Sequence, residues 1–396
     1  MGGMACRILN PRGSRRVLVT KELPGELWLE RLATADCRVE VCQTSAILSH
    51  DDLIDAIGES CQGAIGQLTE PWDEELFEAF ARAGGAAYSN YAVGYNNVDV
   101  AAATARGIPV GNTPGVLTET TAELAVALTF AAARRIVEGS RFLAAGEYHA
   151  WLPTLFQGEL LWRRTLGVIG AGRIGSAYAK MMVEGHRMNL VYYDPHGNDG
   201  LEAHLSAFNE FLMEQGEDPV IVHRAPSIDE VLNKADVVSV HTILDDSTLH
   251  LIDAGRLALM KPHAILVNAA RGPLVDERAL VEHARAHPDF RAGLDVFEHE
   301  PDVEPGLLDL PNVVAIPHLG SATGWTREGM ATLAATNVAA TLQGWPVWSD
   351  PDDIGVFLSR TPPAAAPSIV NARDLGLPTV GPERQADVDR PARRSQ

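Results

Sequence analysis

With 396 residues the chain is too long for one ordinary domain, and 46% hydrophobic with 21% charged residues describes a globular protein of two domains. Lys and Arg number 32 against 52 Asp and Glu, a formal charge of -20 with no local basic patch, which excludes nucleic acid and anionic membrane surfaces as partners. No apolar run reaches the length of a bilayer span.

The first elements alternate. SRRVLVT (14–20) and CRVEVC (37–42) read as strands, DDLIDAIGES as a helix, GAIGQL as a strand and DEELFEAFARAG as a helix. That order implies a parallel sheet covered by helices. The four cysteines, Cys6, Cys37, Cys42 and Cys61, match no zinc spacing and are expected as reduced, partly buried thiols; no metal site is expected. Cys37 and Cys42 are the pair whose spacing could serve redox chemistry. AYSNYAVGYNNVDV is rich in Asn and Gly and reads as a loop. GNTPGVLTETTAELAVALTFAAARRIVEG opens as a turn and becomes a long helix, with Thr118 or Thr120 as its expected N-cap.

A second series starts at Thr165. LGVI, NLVYYD, ADVVSVHT, AILVNAA, AGLDVF and VVAIPH give six strands with helical segments between them, the count of a dinucleotide-binding domain. Residues 196–225 exceed the expected link between the second and third of these and read as a rim insertion with one amphipathic helix. GWTREGMATLAATNVAATLQG is a final helix, and GPERQADVDRPARRSQ is expected to be a disordered tail.

GAGRIG places Gly170, Gly172 and Gly175 in G-x-G-x-x-G spacing, after a strand and at the start of a helix. The glycines permit a tight turn, close approach of a pyrophosphate, and helix–strand packing. The helix N-terminus then offers N–H groups to phosphate. Asp194 lies 19 residues after Gly175, where a carboxylate accepts from ribose hydroxyls and repels a 2′-phosphate. No Arg or Lys follows it closely, so NAD is expected rather than NADP.

Arg271, the run Asp295 to Glu300, and His318 each follow a strand. Ligands of open α/β sheets bind beyond the carboxyl ends of strands, so these groups could converge at a nicotinamide. Reduction of a 2-keto acid needs a clamp for the carboxylate, a hydride and a proton. Arg supplies a permanently charged fork, His a proton near neutral pH, and Glu300 can hold the other imidazole nitrogen. Asp295 is expected to face the cofactor, with Glu298 and His299 as bystanders.

VNAARGPLVDERAL, GLDVFEHEP and PHLGSAT resemble the three signature regions of the D-isomer-specific 2-hydroxyacid dehydrogenases. SNYAVGYNNVDVAAATARGIPVGNTPGVLTETTAELA and GVIGAGRIGSAYAKMMVEG are similar in particular to members that reduce hydroxypyruvate with NADH in photosynthetic eukaryotes. The resemblance runs from about Met4 to about Val380. It implies an α/β fold of two Rossmann-like, doubly wound parallel-sheet domains, with the NAD domain (119–319) inserted into a split substrate domain (1–118 and 320–380) and a tail at 381–396. It implies Arg271, Glu300 and His318 as the catalytic set, and Val93, Gly94, Arg271 and Trp151 at the substrate. The cofactor set it implies is Gly170, Gly172, Arg173, Ile174, Gly175, Asp194, His241, Thr242, Ala269 and Asp295, although HTILDDST lacks the proline of the family's H-x-P-L-T run. It further implies a homodimer, with Trp151 reaching the partner's site.

The implied activity is NADH-dependent reduction of hydroxypyruvate to D-glycerate, as in photorespiration, with weaker reduction of glyoxylate to glycolate. The alternatives are another 2-keto acid reductase of the family, or an NAD-sensing, corepressor-like binding protein. The chain ends Arg394-Ser395-Gln396 where the plant enzymes carry a peroxisomal tripeptide, and residues 1–21 hold basic residues and no acid. A mitochondrial or cytosolic address is therefore expected over a peroxisomal one.

Overall fold

The structure, a computed structural model, describes residues 5–382. The tail expectation for residues 383–396 falls outside them. The chain forms two compact units: the segment up to Val116 together with that from Arg327 onward, and Leu117–Thr326 between.

The first unit begins with β1 (Cys6–Leu9), β2 (Arg15–Val19), α1 (Leu27–Thr34), β3 (Cys37–Cys42), α2 (His50–Ile57), β4 (Gly63–Gly66), α3 (Glu74–Arg82), β5 (Ala87–Asn90), α4 (Val100–Ala105) and β6 (Val110–Gly111). Its sheet runs β1-β3-β2-β4-β5-β6, parallel except for β1. Val17, Leu18 and Val19 are wholly buried, as a strand covered on both faces requires. Local signals start the helices: Ser49 and Asp52 form a capping box for α2, and Asp73 caps α3. On one face Phe77 and Phe80 pack around Trp72 and Tyr88. Four elements, β1, α1, α4 and β6, were not legible in the sequence, and the Asn-rich stretch read as a loop begins with the fully buried β5. Cys37 and Cys42 stand five apart on one strand, so they point to opposite faces and are no pair.

The second unit contains α5 (Thr118–Ala133), α6 (Ile136–Ala144), β7 (Thr165–Ile169), α7 (Arg173–His186), β8 (Asn189–Tyr193), α8 (Asp199–Glu214), β9 (Val222–Arg224), α9 (Ile228–Lys234), β10 (Val237–Val240), α10 (Ala254–Leu257), β11 (Ile265–Asn268), α11 (Glu277–Ala286), β12 (Arg291–Leu294) and β13 (Val313–Ala315). Its sheet is parallel throughout, in the order β13-β12-β11-β10-β7-β8-β9. The strand order reverses at β7, the doubly wound pattern with its ligand crevice at the switch point.

Seven strands stand where six are read from sequence. The supposed insertion is the crossover itself: α8 buries Leu201, Leu205 and Leu212, and β9 pairs with β8. Neither Thr118 nor Thr120 caps α5. Leu117 holds that position without a side-chain bond, and Thr120 instead meets the Thr326 hydroxyl at 2.6 Å. This unit extends to Thr326 rather than ending at 319. Its last loop is tied back by Thr120 and by Thr121, whose hydroxyl donates to the Gly320 carbonyl at 3.2 Å.

Helix α12 (Gly324–Leu342) returns the chain to the first unit, where Ala331, Ala334, Ala335 and Val338 pack on β2 and β3. A Cβ at Gly63 would lie 2.8 Å from Val338, so only glycine admits the helix this close to β4.

Candidate active site

The G-x-G-x-x-G turn connects β7 to α7, and its three glycines serve three separate needs. Gly170 has φ +89°, and a Cβ there would sit 2.7 Å from the His241 carbonyl. Gly175 carries helix packing, since its Cβ would fall 2.0 Å from the Gly170 carbonyl. At Gly172 a Cβ would meet nothing within 4 Å. Open space therefore lies beside this residue, which takes the N-cap place of α7 without any side-chain cap. A phosphate approaching there meets backbone N–H groups and the positive end of a helix. Arg173 is exposed and Ile174 half-buried at that helix start.

Asp194 follows β8. Its carboxylate accepts from the Ala171 N–H at 3.0 Å and the His196 N–H at 2.9 Å. The glycine turn thus holds the acid in place, and the second lone pair of each oxygen remains for a ligand hydroxyl. Beside it opens a depression of about 450 Å³ lined by Tyr193, Asp194, Pro195, Arg224, Ala225 and Pro226. Arg224 ends β9 and donates to the Asp194 carbonyl at 3.4 Å. It is distant in sequence, so reading only the residues just after Asp194 overlooks it.

The other side of the sheet carries the ionisable set. Asn268, buried at the end of β11, accepts from the Ala270 N–H at 3.1 Å and donates to the Arg271 carbonyl at 2.8 Å. Its own carbonyl accepts from the Asp295 N–H, joining the ends of β11 and β12. Sequence reasoning missed Asn268; a polar residue closing the apolar run AILVN was the available signal. Gly272 follows, and a Cβ there would lie 1.9 Å from the Phe297 backbone, so glycine alone lets the two loops meet. Arg271 Nη1 donates to the Ala270 carbonyl at 2.7 Å. Burial works against its charge, and Glu300 supports it.

Glu300 accepts from the Phe297 N–H at 3.0 Å, and its other oxygen meets His318 Nδ1 at 2.8 Å. Burial pushes this carboxyl up, but His318, the Phe297 N–H and Arg271 together hold it below the usual carboxylate range. His318 has φ +50°, a strained conformation for a residue with a side chain. Its N–H, bonded to the Asp295 and Ile316 carbonyls at 2.8 and 3.1 Å, fixes it there. With Nδ1 on Glu300, Nε2 is left for proton transfer.

Asp295 lies under the loop that carries His318. It is wholly buried, and its carboxylate accepts the N–H groups of Leu319 and Gly320, the latter at 2.7 Å. It shapes the loop that carries His318. Burial raises its pKa, against those N–H groups and His318. Glu298 binds His250 at 2.7 Å and, like His299, stays outside the set. The carboxylates of GLDVFEHEP thus divide into a loop anchor, an outer ion pair and a histidine partner.

His241 directly follows β10. Its ring meets Ser239 at 2.8 Å and lies on Tyr178, with centroids 5.1 Å apart. The ring therefore turns inward, and burial pushes its pKa down to about 4. The backbone of His241 and Thr242 lies against the glycine turn. Ala269, nearly buried, extends the end of β11. Among the described residues no cluster of three or more metal-ligating side chains occurs.

Residues 126–320 match the model of the D-isomer specific 2-hydroxyacid dehydrogenase NAD binding domain. The chain is 58% identical over 372 residues to glycerate dehydrogenase of Cucumis sativus, covering 93% of this chain and 97% of that protein. It is 56% identical to the peroxisomal glycerate dehydrogenase HPR of Arabidopsis thaliana, covering 95% and 98%. The chain belongs to the D-isomer-specific 2-hydroxyacid dehydrogenases. Among solved structures, the TT0316 protein from Thermus thermophilus superposes with a TM-score of 0.74 at 38% identity, covering 90% of this chain and 99% of that one.

This 2-hydroxyacid dehydrogenase is thus an NAD-binding oxidoreductase with an α/β fold, and three further residues are expected at its substrate. Trp151 is 75% exposed, in the segment after α6. Val93 and Gly94 belong to the first unit. Their carbonyls are taken by Asn112 at 2.9 Å and Asn90 at 3.0 Å, while among the described residues their N–H groups donate to no protein acceptor.

Proposed function

We propose that this dehydrogenase reduces hydroxypyruvate to D-glycerate with NADH, and glyoxylate to glycolate more weakly. The observation that carries the reading is the 2.8 Å pair of His318 and Glu300, with Arg271 near enough for its charge to act on Glu300. Oxidation of glycerate, the reaction named for both plant relatives, is the reverse of hydroxypyruvate reduction. The glycine turn, the open space at Gly172 and the placement of Asp194 fit a dinucleotide. NADH, when bound, supplies the hydride. Arg271 takes the substrate carboxylate. Nε2 of His318 gives its proton to the carbonyl oxygen as the oxygen gains charge, and Glu300 stabilises the charged ring through Nδ1. In the reverse direction the neutral ring accepts that proton.

NADH over NADPH rests on Asp194, whose charge opposes a 2′-phosphate, while Arg224 across the same depression works the other way. The N–H groups of Val93 and Gly94 are proposed to receive the substrate carboxylate as well. A homodimer is proposed from α6, which buries none of its residues and leaves Ile136 and Leu143 exposed, followed by exposed Tyr148, Trp151 and Leu152. Such a run of bare apolar side chains is what a second copy would cover.

The test is turnover of hydroxypyruvate, glyoxylate, pyruvate and phosphohydroxypyruvate by the purified protein, each with NADH and with NADPH. The highest kcat/KM is expected for hydroxypyruvate with NADH. A preference for pyruvate or phosphohydroxypyruvate would replace the substrate, and NADH binding without turnover of any keto acid would overturn the catalytic reading.

A further inference from the structure

Strand β1 is the edge strand of the first sheet and its one antiparallel member among the described residues. Cys6 on β1 stands directly opposite Cys42 on β3. Ala5 and Gln43, the next pair, share a ladder hydrogen bond of 2.9 Å. Cys6 and Cys42 therefore form the non-bonded pair of the ladder, where Cα atoms approach to about 4.5 Å and side chains lie closest. That spacing falls in the range a disulfide spans. The two Sγ atoms are 3.8 Å apart, and both thiols are free. Cys42 is 1% exposed, and burial first of all pushes its thiol up to about 12, with Cys6 adding to the effect. Cys6 is only partly buried. Cys37 and Cys61 are wholly buried, and their thiols donate to the Ala35 and Gly63 carbonyls at 3.6 and 3.2 Å.

We propose that Cys6 and Cys42 form a reversible thiol–disulfide couple that fastens β1 to β3, driven by a low-molecular-weight disulfide such as oxidised glutathione. The exposures order the steps. The Cys6 thiolate attacks one sulfur of glutathione disulfide, forming a mixed disulfide and releasing one glutathione thiolate, which takes up a proton. Cys42, losing its proton, then attacks Cys6 Sγ, and the second glutathione leaves. The protein dithiol gives up two electrons and two protons, and one glutathione disulfide becomes two glutathiones. Cys42 serves as the resolving thiol because its burial disfavours the thiolate needed for first attack.

The full chain, fully reduced, is equilibrated in glutathione buffers of graded redox ratio, quenched by alkylation and mapped by peptide mass spectrometry. The expected result is loss of two hydrogens, a single Cys6–Cys42 cross-link reversed by reductant, and amide exchange in β1 slowed by about tenfold or more on oxidation. Cys42→Ser is expected to stop at a glutathione adduct on Cys6. Cys6→Ser, altering a part-exposed residue on an edge strand and so least disturbing to folding, is expected to form no cross-link. Thiols that stay reduced at every ratio, a cross-link through Cys37 or Cys61, or a Cys6→Ser protein that oxidises like the parent would each overturn the proposal.

Discussion

The two halves of the second sheet divide the work between backbone and side chains. Around β7, β8 and β9, the groups proposed to meet the dinucleotide are a glycine turn, a helix N-terminus and one carboxylate, all within a short span of chain. Around β11, β12 and β13, Arg271, Glu300 and His318 come from three strand ends and depend on bonds between loops far apart in sequence. The first half needs residues that leave space. The second needs residues that constrain others, as Asn268, Gly272 and Asp295 do. The proposed binding determinants are thus local and mostly of the main chain, while the proposed chemical determinants depend on residues that hold them in place.

Asp295→Asn strikes the constraining half hardest. One of two acceptors becomes a donor facing a buried N–H, which costs about 1–3 kcal/mol for the unpaired group and more as the loop relaxes. Unfolding midpoint and kcat are expected to fall together, while NADH affinity holds. An unchanged midpoint would remove Asp295 from its anchoring role.

His241 tests the join between the halves through pH. Its pKa is lowered from 6.5 to about 4, so the unfolded chain takes up a proton that the folded ring refuses. Its share of stability is full above 6.5 and is lost as pH falls from 6.5 toward 4, by at most about 3 kcal/mol. Denaturant unfolding across that window should show the slope, and His241→Gln should flatten it; equal slopes would assign acid sensitivity elsewhere.

Asp194→Ala sharpens the contrast on the binding side. Removing the charge while Arg224 remains should move the NADH:NADPH ratio of kcat/KM toward NADPH by about tenfold, near 1.4 kcal/mol. The keto acid KM should hold, while the unfolding midpoint should fall, since the Ala171 and His196 N–H groups lose their acceptor at a cost of about 1–3 kcal/mol. An unaltered ratio would leave cofactor choice to other groups.

The two halves also differed in legibility. GAGRIG and Asp194 could be read directly, because glycine requirements and a βαβ spacing are short-range. Arg271, Glu300 and His318 were legible as types following strands, yet what Asp295 does was not. A carboxylate's partner there is a backbone N–H from a loop two dozen residues on, which no local pattern encodes. The inward turn of His241 depends in the same way on Tyr178 in α7. Strand β9 escaped because its three residues follow a long helix and their apolar pattern is too brief to register. Arg224 escaped with it. The pairing of Cys6 with Cys42 needed the register of β1, an edge strand only four residues long.

The most direct test of the division is His318→Ala, with NADH affinity and keto acid turnover measured on one preparation. Turnover should fall by about 10²–10⁴ while NADH affinity stays within error. Retained turnover, or a loss of NADH affinity matching the loss of rate, would contradict the assignment of proton transfer to His318 and of cofactor binding to the opposite half of the sheet.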